Sequence, residues 1–214
     1  MAQIFPKWSN SIPKFIPVVT VCILASVVFV LSYWLSPWNL EVGYEPSQPV
    51  PYSHELHVGS LGIDCRYCHF GVEKSSNACV PPTQICMNCH TNILQDSKKL
   101  IKVIKSSKTK KPLKWIRVHQ LPDYVYFDHS AHINAGVGCI SCHGRVDKMK
   151  KIRQVKPLSM AWCLDCHRNP SAHLKPKNKV TAMNFDPPKD WGTIARKKAS
   201  KLNPPVISCS GCHR

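Results

Sequence analysis

Hydrophobic and polar positions divide the chain into two unequal parts. From Phe15 to Leu40 there is no charged residue, and the densest apolar stretch runs over 15–35. Those 21 residues are enough to cross a hydrocarbon core as a helix. About a dozen Ile, Leu, Val and Phe favour insertion by about 4–7 kcal/mol as an upper value. Pro17 is expected in the first turn, where a missing N–H costs little. Tyr33, Trp34 and Trp38 fit an aromatic belt at one interface, with Trp8 at the other. Lys7 and Lys14 precede the run and nothing acidic does. The positive-inside rule therefore places residues 1–14 in the cytoplasm, an anchor at 15–40, and residues 41–214 outside a bacterial cytoplasmic membrane. The length of the run and the lack of an A-x-A-like site after it favour a retained anchor over a cleaved signal peptide. Cys22 is expected as a small apolar residue buried within this helix.

The remaining residues carry no long period of either kind. Most of the 18 Pro fall there and oppose long helices. The expected fold is mainly α and irregular: one transmembrane helix, then a loop-rich domain of short helices with little sheet.

Composition changes this picture through 12 Cys and 11 His. C-x-x-C-H occurs five times, as Cys65–Cys68–His69, Cys86–Cys89–His90, Cys139–Cys142–His143, Cys163–Cys166–His167 and Cys209–Cys212–His213. Two thiols three positions apart can each add to one haem vinyl group, and the next His then lies under the iron. Disulfides, zinc ribbons and iron–sulfur sites do not require a His after every second Cys. The spacing implies five covalently attached c-type haems and a multihaem cytochrome c domain. Cys79 is left over and is expected as a buried thiol.

Two stretches repeat the same order of residues. Tyr52, His54 and His57 precede the Cys65 motif, and Phe127, His129 and His132 precede the Cys139 motif. A second site follows each, at Cys86 and Cys163, so two-haem units are expected over about 50–91 and 125–168. The fifth haem falls on a tail at 209–213. His-x-x-His places two imidazoles on nearly one side of a helical turn, so each can serve a different iron. His54, His57, His129, His132 and His119 supply the five distal ligands that five six-coordinate irons need, with His173 spare. Met160, one turn before Cys163, is the strongest alternative to His119. With both axial positions filled, no iron is open to a small substrate, which favours electron transfer over catalysis.

The formal charge of +17 shrinks once haem is counted. Five haems bring roughly ten propionate charges against about five from ferric iron. No nucleic-acid-binding motif accompanies the basic residues, so nucleic acid is not an expected partner. Residues 92–124 hold eight lysines, a solvated face that can also meet lipid headgroups or an acidic redox partner.

The two aromatic-x-His-x-x-His motifs resemble the first-ligand motif of cytochromes c7 and c3. That resemblance implies that His54 serves the His69 haem and His129 the His143 haem, with His57 and His132 reaching other haems. Val118–Phe127, Val80–His90, Met160–Pro170, the N-terminal helix and the five motifs together are similar to the pentahaem cytochrome c subunits of bacterial alternative complex III. This implies a relay subunit in a membrane quinol:acceptor oxidoreductase. Its partners would be an iron–sulfur subunit, polytopic quinol-binding subunits and a monohaem cytochrome c. Its acceptor would be a soluble carrier or a terminal oxidase. The competing expectation is a membrane-anchored multihaem quinol dehydrogenase of the tetrahaem type.

Overall fold

A computed structural model describes residues 4–35 and 41–213. Trp38 and the end of the expected anchor lie outside the described residues. The chain divides into two compact units, Met1–Glu41 and Val42–Arg214.

In the first unit a 3₁₀ turn, Lys7–Ser11, leads into α1, Ile12–Trp34. One helix here is long and apolar enough to cross a membrane, with mean hydropathy 2.7 over its best window. It begins earlier than the hydrophobic run suggests. Pro13 therefore occupies the first turn, and Pro17 stands one turn further inside. Pro17 has no N–H to give the Pro13 carbonyl, so the helix lacks one rung there. Nearby, the Thr20 hydroxyl donates to the Ile16 carbonyl at 2.9 Å. Cys22 is exposed on α1, not buried as its apolar neighbours suggested; no residue of that helix is buried.

The second unit is helical and irregular, as its proline content and broken patterning predict. Among the described residues it contains a π-helical turn, Glu55–Ser60, and eight short α-helices. These are α2 Cys65–Cys68, α3 Thr83–His90, α4 Ile101–Thr109, α5 His129–Ala135, α6 Cys139–His143, α7 Met160–Arg168, α8 Trp191–Ala199 and α9 Cys209–Cys212. Among the described residues no strand forms; two isolated antiparallel bridges, Val125 with His213 and Val137 with Leu174, take the place of a sheet. The buried apolar residues of this unit are few and small, Val50, Val103, Val118, Met149, Leu174, Val180 and Ala195. A polypeptide of this size normally buries a far larger apolar core.

Side-chain caps start the motif helices where the sequence supplies them. Asp64 accepts from the Arg66 N–H at 2.9 Å to open α2. Asp128 accepts from Ser130 N–H at 2.7 Å to open α5, and Ser159 accepts from Trp162 N–H to open α7.

Candidate functional site

Each of the five C-x-x-C-H motifs folds as a single short helix or as the end of one: α2, α3, α6, α7 and α9. One helical turn puts both cysteines of a motif on the same face, with the His just beyond. None of the twelve cysteines, all within the described residues, is in a disulfide. Nor does any group of three or more His, Cys, Asp or Glu converge on a point that would hold a bare metal ion, among the described residues.

The imidazoles instead meet in pairs. The ring centres of His57 and His90 lie 6.3 Å apart, those of His129 and His143 lie 6.5 Å apart, and those of His132 and His167 lie 6.1 Å apart. Two imidazoles on opposite sides of one iron, each with a metal–nitrogen bond of about 2 Å and about 1.1 Å from nitrogen to ring centre, would stand about 6.2 Å apart. The three pairs fit that separation. His54 neighbours His69, and burial, then His69 and His57, hold the His54 imidazole down to about 4.

Tautomers are set by the backbone. The Nδ1–H of His69 donates to the Cys79 carbonyl at 2.7 Å, that of His90 to Ile93 at 3.0 Å, and that of His167 to Val206 at 2.6 Å. The expected distal ligands follow suit: His57 donates to Ser53 at 2.9 Å, His129 to Ser76 at 2.9 Å and His132 to Asp128 at 2.7 Å. A ring that gives its Nδ1–H to a carbonyl presents the Nε2 lone pair to a metal. His54 differs: its Nδ1 is buried with no protein partner. Such an orphaned group costs about 1–3 kcal/mol unless something binds it. At His54, His132 and His143 burial favours the neutral ring that ligation requires. His143 is driven down to about 3 by burial and then by His119 and His129, and burial lowers His132 as well.

Sequence reasoning missed what the aromatic residue does in each His-x-x-His motif. Tyr52 meets His54 edge-on, with centres 4.8 Å apart, and stacks on His57 at 4.3 Å. Phe127 meets His129 edge-on at 4.7 Å and stacks on His132 at 4.8 Å. One ring thus sets the orientation of two imidazoles, in the same way in both repeats. The recurrence of an aromatic at that position was the available signal.

The leftover cysteine also has a place. Cys79 is exposed, not buried, and its backbone is left-handed with φ 64°. That turn aims its carbonyl at His69. A Cβ on Gly71 would come within 2.7 Å of the Asn77 carbonyl oxygen, so only glycine lets this loop close.

The structure sets His119 against His143, with Nε2 of the first 3.3 Å from Nδ1 of the second. The ring next to His213 is Tyr124, with centres 5.8 Å apart. Met160 is 63% exposed at the start of α7.

Neighbouring motifs touch in one order. Cys68 lies within electrostatic reach of Cys86 and Cys89, and His57, three residues from His54, faces His90. The Cys65 and Cys139 side chains are close neighbours. Around them, Asp64 accepts from the Thr181 hydroxyl at 2.8 Å, and the adjacent Val180 carbonyl accepts from Cys139 N–H at 3.0 Å. Cys142 faces Cys166 and Cys163, matching the His132–His167 pair. Cys163 is within reach of Cys212, while Tyr126 N–H donates to the Cys212 carbonyl at 2.8 Å. Named by their histidine, the five motifs neighbour one another in the order His90, His69, His143, His167, His213.

Comparison with known proteins agrees with this chemistry. The chain is 36% identical over 118 residues to the menaquinone reductase multihaem cytochrome c subunit of Nitratidesulfovibrio vulgaris. That match takes in 55% of this chain, and the chain spans about half (54%) of the length of that relative. Residues 131–214 match the cytochrome c3 family, so the chain carries a cytochrome c3-like domain of the multihaem, c-type kind.

Proposed function

We propose that this chain is a pentahaem cytochrome c that relays electrons between a membrane quinone pool and a soluble redox partner. The observation that carries the reading is the set of three imidazole pairs at 6.1–6.5 Å, each built from one motif histidine and one distal histidine. When bound, each haem supplies a one-electron iron couple.

The chain's own residues do the rest. Cys65, Cys68, Cys86, Cys89, Cys139, Cys142, Cys163, Cys166, Cys209 and Cys212 would hold the haems as thioethers. His69, His90, His143, His167 and His213 would be proximal ligands. His54, His57, His129 and His132 would face His69, His90, His143 and His167 in turn. With His119 engaged by His143, Met160 and His173 remain as candidates for the iron of His213; Met160 starts α7, and α7 lies beside α9 through Cys163 and Cys212. A thioether ligand there would give that haem the highest potential of its neighbours. Closely placed sites in a single row favour transfer along the row over escape to solvent.

α1 would anchor the row to the cytoplasmic membrane with the haem domain on the outer face, and one spanning helix cannot enclose a quinone by itself. The similarity to a menaquinone reductase subunit, and to the pentahaem subunits of alternative complex III, supports a role inside a larger complex with quinone-binding and iron–sulfur subunits. Gentle solubilisation of the membrane should bring such subunits down with this chain, and a menaquinol analogue should reduce its haems only in that assembly. Quinol oxidation by the isolated chain would instead favour the self-sufficient dehydrogenase reading.

A further inference from the structure

One end of the row is the His90 site on α3, and α4 packs directly on α3. Val103 and Ser106 face inward, with the Ser106 hydroxyl 2.7 Å from that of Thr83. The outward face is basic. Lys98, Lys99, Lys102, Lys105, Lys108, Lys110, Lys111 and Lys114 are all exposed, and no Asp or Glu occurs between Asp96 and Asp123.

Elsewhere in this unit four basic side chains have acidic partners among the described residues. Arg66 pairs with Asp64 and Glu73, Arg145 with Asp147, Lys150 with Glu55 and Lys151 with Glu45. Among the described residues none of the eight lysines makes such a pair. The haem of the His90 site would bring two propionates, which leaves roughly six positive charges without a counterpart. Like charges crowded on one short segment repel, so the arrangement has a cost that a negatively charged partner would relieve. Anionic lipid would also relieve it, but lipid gives no reason for the cluster to sit on and around the helix packed against the one that carries a terminal site.

We propose that the lysine face of residues 98–114 docks an acidic electron-transfer protein, and that electrons cross between that protein and the row at the His90 site. This rests on the haem reading above. In each crossing the His90-site iron changes by one electron and the partner by one in the opposite sense, with no bond made or broken. Electrostatic complementarity of this kind speeds encounter and makes it sensitive to salt.

The test uses the full-length holoprotein in detergent, reduced with dithionite and mixed in a stopped-flow instrument with a strongly acidic oxidised blue-copper protein. The second-order rate should fall about tenfold or more from low to high salt. Lys102→Glu/Lys105→Glu/Lys108→Glu should lower the low-salt rate by about tenfold, and the corresponding Gln variant by less. Reversal at Lys189, Lys197 and Lys201, also exposed, should leave it within about twofold. Equal losses from both sets would show general charge attraction and overturn the proposal. So would an unchanged rate in the first set, above all if that set alone loses binding to phosphatidylglycerol vesicles. Unchanged haem content and visible spectrum in the variants separate failure of this proposal from failure of the haem reading.

Discussion

The His143 Nδ1–H points to Nε2 of His119 at 3.3 Å, where the other motif histidines with a hydrogen-bonded Nδ1 use a backbone carbonyl. Burial, and then His129, holds His119 down to about 4, so it is a neutral acceptor. A hydrogen bond from the ligand's N–H raises its basicity and favours ferric iron. His119→Leu should therefore raise the potential of one haem by about 40 mV, the equivalent of about 1 kcal/mol for a one-electron couple. His119→Gln should restore part of the shift. Potentiometric titration followed in the visible range reads this. A high-spin haem in His119→Leu would instead make His119 an axial ligand.

His57 and His90 face each other across 6.3 Å. His57→Ala should leave one iron five-coordinate and the other four unchanged. The reduced variant should bind close to one equivalent of carbon monoxide that the parent does not bind. No gain in carbon monoxide binding would remove His57 from the ligand set.

Asp64 caps α2 and also ties it, through Thr181 and Val180, to the start of α6. Asp64→Ala should cost about 1–2 kcal/mol from the cap alone. Burial pushes the Asp64 carboxyl up, but hydrogen bonds from Arg66 and Thr181 outweigh it and hold it at about 2, below the ordinary 3.8. A depressed folded value means stability that is present above pH 4 and lost as pH falls toward 2. Acid unfolding of Asp64→Asn should show a shallower slope across that window than the parent.

Gly59 lies where the two repeats meet. A Cβ there would collide with the Asp147 carbonyl oxygen, next to the backbone bond from Glu55 N–H to the Met149 carbonyl at 3.0 Å. Gly59→Ala should destabilise the domain by about 1–3 kcal/mol, read as a lower Tm of the oxidised holoprotein. Gly192 in α8 has open space at its Cβ, so Gly192→Ala should be neutral or stabilising by up to about 1 kcal/mol. Equal effects from the two would remove the inter-repeat contact from the account.

Much of this was legible in the residues because the chemistry is local. C-x-x-C-H defines a site within five positions, and the uncharged run defines α1 to within a few residues. The mainly helical and irregular character, with little sheet, followed from prolines and broken patterning. What could not be read is set by long-range backbone contacts that leave no local trace. The Cys79 carbonyl reaches His69 only because of a left-handed turn, and the Val206 carbonyl reaches His167 across 39 positions. His119 fitted the count of ligands, yet counting could not tell an axial position from a place behind His143. The order of the sites was hidden for a similar reason: the first and third motifs are neighbours in space while the second lies between them in sequence.

The most direct check is intact-mass spectrometry of the denatured, unreduced chain together with its visible spectrum. The account requires a mass exceeding the polypeptide by five haem groups and a persistent Soret band after denaturation. A colourless chain with the bare polypeptide mass would contradict it.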